Sequence, residues 1–210
     1  MTYAPVQDSV QNPVQNPVRY SSYQEYLDDE SLSSDRNYRL LDTGELIEVS
    51  TEDDLNMRIA LRLLLAIAQI NSGLYAERIR TKKELQVSPV GDRCINRVPD
   101  LMVLQPEHLE IAPQAILLDM IPPLFVAELV SPGGKSSDNY KRDYVWKRQQ
   151  YEELGIAEYW IIDPHRETLT VLTLVEGRYE SSVYSKSQQV FSSTFPTLKV
   201  SVQKLLEGSL

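Results

Sequence analysis

The chain has 210 residues, 42% hydrophobic and 24% charged, which fits one sizeable globular domain or one domain with appendages. Its net charge of −9 argues against a broadly basic nucleic-acid-binding surface, yet leaves room for a local one and supplies the carboxylates that hard cations need. One cysteine, Cys94, excludes an internal disulfide framework and a Cys-rich zinc site, and with only His108 and His165 a structural His-rich metal site is not expected.

The opening "MTYAPVQDSV" has neither a basic start nor an apolar core, so no secretory signal is expected. No apolar run nears the roughly 20 residues that span a bilayer, and a soluble, cytoplasmic protein with no membrane association is expected. The repeat "VQNPVQNPV" is polar and proline-containing; residues 1–18 are expected to be a disordered or extended tail before a single α/β domain over 19–210. "SSYQEYLDDE" reads as a short capped helix, and "NYRLLDTGELIEVS" as a hairpin around Asp42-Thr43-Gly44.

"TEDDLNMRIALRLLLAIAQINSG" is the clearest helix, with Thr51 as the expected N-cap, acids in the first turn and Gly73 just past the end. Leu55, Ile59, Leu63, Ala66, Ile67 and Ile70 form its apolar stripe. Strands are expected at "ELQVSPV", "NRVPDLMVL", "LFVAELV", "AEYWIID" and "TLTVLTLV". A second long helix, roughly 137–154, separates "LFVAELV" from "AEYWIID", which makes a βαβ-type unit. The remainder suggests a β-rich edge and a short terminal helix.

Within "LFVAELVSP" a lone acid, Glu128, interrupts an otherwise apolar strand. Alternation places Leu124, Val126, Glu128 and Val130 on one face, and Phe125, Ala127 and Leu129 on the other. A carboxylate buried there needs a partner: an arginine, or a metal. In "RVPDLMVL", Asp100 follows Pro99 and shares a face with Val98, Met102 and Leu104; it fits a cap at a strand end as well as a ligand. On the second long helix, Tyr140, Asp143, Tyr144, Lys147, Tyr151 and Leu154 fall on the inward face. Alone, Asp143 and Lys147 would be an ordinary i,i+4 pair worth ~0.2–0.5 kcal/mol. Together, two strand-borne acids and an inward lysine have the composition of a metal-assisted phosphodiester hydrolase.

"RVPDLMVL", "ELVSP", "DYVWKRQQYEELGI" and "EYWIIDP", in that order, resemble the Uma-type restriction-endonuclease family over roughly residues 20–200. That family is similar to the PD-(D/E)xK nucleases. The resemblance implies a restriction-endonuclease-like mixed β-sheet flanked by helices and an endonuclease cutting DNA with Mg2+ or Mn2+. It also implies a homodimer, because cutting two strands suits two sites. Asp100 matches the aspartate of the PD motif and Glu128 the acid of the (D/E)xK motif, both as metal ligands. The motif's lysine position holds Val130; in the Uma-type pattern a lysine on the next helix fills that role, and Lys147 stands there. Lys135, in a Gly-rich loop, and Lys141, about 100° off the inward face, compete with it less well.

Asp143 and Tyr151 match the family's helix pattern as supports for Lys147, and packing alone also explains Tyr151. Glu52 could add a metal contact or simply favour the helix dipole. Lys141, Arg142 and Arg148 are the basic residues that would approach a phosphate backbone, unless they form a solvated helix face. Tyr159, Trp160 and Asp163 read as sheet packing and a strand-end turn, and His165 as exposed; His108 and Cys94 carry no motif. The competing function class is a nuclease-fold protein without cleavage activity that acts as a nucleic-acid or protein interaction module.

Overall fold

The computed structural model describes residues 19–33, 36–49, 53–112 and 114–208. The expected tail, the expected cap Thr51 and the candidate ligand Glu52 lie outside these residues. Helix α1 (Tyr23–Leu27) starts at Ser22, whose hydroxyl oxygen accepts the Glu25 N–H. Strands β1 (Asn37–Leu40) and β2 (Leu46–Val49) form the expected antiparallel hairpin. Gly44 in its turn has φ +81°, and a Cβ there would lie 2.1 Å from the Tyr20 carbonyl oxygen, so glycine is required twice over.

Helix α2 (Asp54–Gln69) is the expected first long helix, capped by Asp53, whose carboxylate accepts the Leu55 N–H at 3.0 Å. Ile59, Leu63 and Ile67 of its stripe are fully buried, with Leu55, Ala66 and Ile70 packed at the margin. Strands β3 (Ile79–Arg80), β4 (Glu84–Gln86), β5 (Asn96–Arg97) and β6 (Leu101–Val103) follow. The single strand expected over "NRVPDLMVL" is therefore two strands, and they belong to two different sheets. Pro99 has no N–H to give a ladder, and the chain changes sheets around it. Asp100 sits at that break, just ahead of β6.

Then come α3 (His108–Ile111), β7 (Ala115–Ile116), β8 (Phe125–Leu129) and α4 (Asp138–Lys141). A π-helical turn, Arg142–Trp146, joins α4 to α5 (Lys147–Leu154) within the second long helix. Strands β9 (Glu158–Asp163), β10 (Thr168–Val175) and β11 (Arg178–Ser185) and helix α6 (Val202–Glu207) complete the described chain.

The main sheet has the order β11-β10-β9-β8-β6-β3. Its one parallel pair is β8 with β9, the expected βαβ unit; β6 runs antiparallel to β8. β5, β4 and β7 form a smaller sheet. Phe125, Ala127 and Leu129 of β8 pack with residues of α2 and α6 in one core, while Val126 and Val130 pack with Tyr151, Tyr159 and Ile161 in another. The alternation read from the sequence is thus realised, with a helical layer on each face. Buried Glu158 fastens the segment after β11, accepting from Trp160 Nε1, the Ser192 and Ser193 hydroxyls, and the Ser193 and Thr194 N–H groups at 2.6–2.9 Å.

Candidate active site

Strand register brings the two candidate acids together. Leu101 pairs with Ala127 in the antiparallel β6–β8 ladder, so the next position places Asp100 across from Glu128. The Asp100 carboxylate accepts the Leu129 N–H at 2.6 Å, which ties the β6 break to the adjoining strand. Glu128 is 2% exposed, on the face that meets α5. From the first residue of α5, Lys147 Nζ reaches Glu128 Oε2 at 2.7 Å and Asp143 Oδ1 at 3.2 Å. One turn later, the Tyr151 hydroxyl donates to Glu128 Oε1 at 2.5 Å. Both carboxylate oxygens of Glu128 are therefore addressed by the helix opposite.

The helix is distorted where it supplies these groups. The Lys147 N–H bonds the Arg142 carbonyl, five residues back, which defines the π turn; such turns frequently occur at functional sites. Asp143, within that turn, is buried; it accepts from the Ser131 N–H at 3.1 Å and from Arg142 Nε at 2.9 Å. Burial alone would push the Asp143 carboxyl up, but Lys147 and Arg142 outweigh it and hold the carboxyl below the usual range. Burial likewise would lower the Lys147 ammonium, but Glu128 and Asp143 outweigh it and raise its pKa. The ammonium form of Lys147 is thus the one this setting favours.

The geometry joins Asp100, Glu128, Lys147, Asp143 and Tyr151 in one cluster at the ends of β6 and β8. Arg142 does not face outward as expected: its side chain is 11% exposed and pairs with Asp143, Asn139 and Ser131. Arg148 bonds the Tyr179 carbonyl at 3.3 Å, and exposed Lys141 pairs with Asp138 at 3.4 Å. Lys135 is exposed on the loop after β8. Asp163 closes a strand-end turn as expected, accepting the His165 and Arg166 N–H groups, and Tyr159 and Trp160 are buried in the sheet. Three residues without a distinguishing sequence signal lie beside the cluster: Arg39, Arg97 and Gln150.

Asp100 and Glu128 offer hard carboxylate oxygens, and magnesium is commonly held by one or two carboxylates, with waters and substrate phosphate completing its shell. Among the described residues no three His, Cys, Asp or Glu side chains gather as a ready ligand set. Asp100 and Glu128 supply the oxygen donors such an ion takes, with both Glu128 oxygens also engaged by Lys147 and Tyr151. Two open concavities, of about 280 and 520 Å³, lie elsewhere, beside Tyr26 and Glu84 and between Leu55 and Leu206.

The six-stranded mixed sheet with a helical layer on each face has the organisation of the restriction-endonuclease-like fold. A crystal structure titled "putative nuclease belonging to DUF820", from Anabaena variabilis ATCC 29413, superposes with a TM-score of 0.60 at 18% identity, covering 89% of this chain and 98% of that one; the likeness is one of fold. The chain belongs to the Uma2 family, described as "Putative restriction endonuclease", which matches residues 23–203. No curated protein matches it. Among the described residues, no helix is long and apolar enough to cross a membrane.

Proposed function

We propose that the chain is a metal-dependent endonuclease that hydrolyses phosphodiester bonds of DNA, acting as a homodimer with one site for each strand. The observation that carries this reading is the contact between Lys147 Nζ and Glu128 Oε2 at 2.7 Å, made across the sheet-to-helix interface with Asp100 in register beside it. Asp100 and Glu128 are the residues that would hold magnesium or manganese, which would supply Lewis-acid polarisation of the phosphate and a more acidic water. Lys147 presents a fixed positive charge where negative charge develops as water attacks phosphorus and the sugar oxygen departs. Asp143 and Tyr151 are positioning residues. Asp143 holds the ammonium from the same helix, and Tyr151 fixes the Glu128 carboxylate.

The test is nicking of supercoiled plasmid in magnesium or manganese by the wild type, Asp100→Ala and Lys147→Ala. Metal-dependent nicking lost in both variants is expected. Loss in Asp100→Ala alone would keep the nuclease and remove Lys147 from it. No cleavage by pure wild type on DNA or RNA would leave an interaction module on a nuclease fold.

A further inference from the structure

The β1 strand docks on β5, the Leu40 N–H donating to Asn96 Oδ1 at 2.7 Å and the Ile95 N–H to the Leu40 carbonyl at 2.8 Å, and this brings Arg39 of β1 near Arg97 of β5 and Arg142 of the π turn. Arg142 is paired with Asp143 and held by Asn139 and Ser131. Arg97 is 3% exposed; its Nε donates to Gln150 at 2.7 Å and its Nη2 to Asp92 at 2.8 Å, while its Nη1 is buried without a partner. Asp92 is presented by a loop clamped on the π turn: a Cβ at Gly91 would lie 2.1 Å from Trp146 Nε1. Arg39 is half-buried and makes no hydrogen bond or ion pair among the described residues. Burial, then Arg142 and Arg97, hold its guanidinium below its ordinary range, with Asp92 only partly offsetting them.

A half-buried guanidinium with no ion-pair partner among the described residues, and with two others near it, is unfavourable for folding, because burial and like charge both oppose its ionised form. Such an arrangement makes sense where an anion joins it. The planar fork of arginine matches phosphate oxygens, and this fork is half-buried beside the Arg97–Asp92 and Arg142–Asp143 pairs rather than on an open surface; among the described residues Asp92 Oδ2 is buried there without a partner as well. Arg142 also acts electrostatically on Glu128, and Arg97 on Tyr151, so these two charges adjoin the acid–lysine cluster. We propose that Arg39, backed by Arg97 and Arg142, is a ligand for a backbone phosphate of the bound nucleic acid, in an arginine-lined subsite near the Glu128–Lys147 pair. The inference rests on the nuclease reading for the identity of the anion, and on the arginine geometry for its place.

The test compares the full-length wild type with Arg39→Met, which keeps an unbranched stem without the charge. In metal-free buffer, binding of a fluorescein-labelled DNA duplex is followed by anisotropy across roughly 50–200 mM salt. Arg39→Met is expected to bind more weakly, with the slope of log K against log salt smaller by about 0.9, one phosphate contact. Its melting temperature in chloride is expected to equal or exceed the wild-type value, and inorganic phosphate at matched ionic strength should stabilise the wild type more than the variant. A variant that melts lower and binds with unchanged slope would make Arg39 a structural residue in a water-bridged cluster and overturn the proposal. Equal binding and equal phosphate stabilisation would overturn it as well. If the wild type binds no nucleic acid while phosphate still stabilises it through Arg39, the anion subsite stands and the nuclease reading falls. If neither ligand acts on the wild type, both fail.

Discussion

Replacing Lys147 with methionine removes one ammonium from between two buried carboxylates and leaves the rest of the helix in place. Glu128 and Asp143 have side chains only 3% and 1% exposed, and Lys147 is itself only 12% exposed, so solvent screens the pairs little. Removing one partner of a buried ion pair costs about 3–5 kcal/mol, because the other charge stays behind. Arg142 continues to neutralise Asp143, and Tyr151 continues to donate to Glu128, which places Lys147→Met at the lower end, about 3 kcal/mol. For a domain of this size that corresponds to a fall in melting temperature of roughly 6–12 °C. The assay is calorimetric or urea unfolding at neutral pH of Lys147→Met, Glu128→Gln and the double variant. The double variant should be less destabilised than the sum of the singles by about 2 kcal/mol, since neutralising Glu128 removes the charge that Lys147→Met strands. A Lys147→Met protein that melts within about 1 °C of the wild type, or a strictly additive cycle, would refute the paired geometry.

Tyr151→Phe deletes the hydroxyl that donates to Glu128 while keeping the ring in its core, so it should destabilise by about 1.5–3 kcal/mol in urea unfolding, as for a hydrogen bond to a charged group. Burial, with Asp92 adding to it against Arg97 and Arg39, pushes the Cys94 thiol up to about 11. At pH 8 Ellman's reagent should therefore react with Cys94 only after unfolding, and rapid stoichiometric labelling of the native protein would contradict that environment. Burial raises the Asp163 carboxyl, but the Tyr144 hydroxyl and Arg166 outweigh it and hold it below the usual range. As pH falls the unfolded chain takes up that proton first, so the stability from Asp163 is complete above about pH 4 and is lost as pH drops through the folded value. Asp163→Asn should flatten that acid limb of the stability curve, and an unchanged limb would disprove the assignment.

The elements with a clean period were legible from the residues alone. The stripe Ile59, Leu63, Ile67 recurs at helical spacing, and the lone acid in "LFVAELV" stands out because its neighbours are all apolar. Lys147 was legible for the same reason: a single cation on an inward aromatic face. The split of "NRVPDLMVL" between two sheets was not legible, because the apolar pattern runs on past Pro99 and only the identities of the pairing partners reveal the change. Arg142 was misplaced because uniform helical geometry turns it outward, whereas the chain is π-helical there. Arg39 and Arg97 look like solvent-facing charges in "NYRLL" and "INRVP". They meet only because the β1–β2 hairpin docks on the β5 strand, with Leu41 bridging to Cys94, a contact between segments more than fifty residues apart.

The site's departure from a strand-borne lysine has a packing rationale. Val130 shares its face with Glu128, and it is 1% exposed among Tyr151, Tyr159 and Ile161. An ammonium sent out from that position would have to be accommodated inside this apolar layer. Drawing the ammonium from α5 keeps the layer apolar beyond Glu128 and brings the charge in from the opposite side, where Asp143 already waits one turn earlier. The location of the charge then depends on the helix rather than the strand, and the helix is pinned at that point by Asp143 to the Ser131 N–H and by Tyr151 to Glu128. The π turn, Asp143 and Tyr151 together do for Lys147 what strand geometry alone would do for a lysine two residues after the acid.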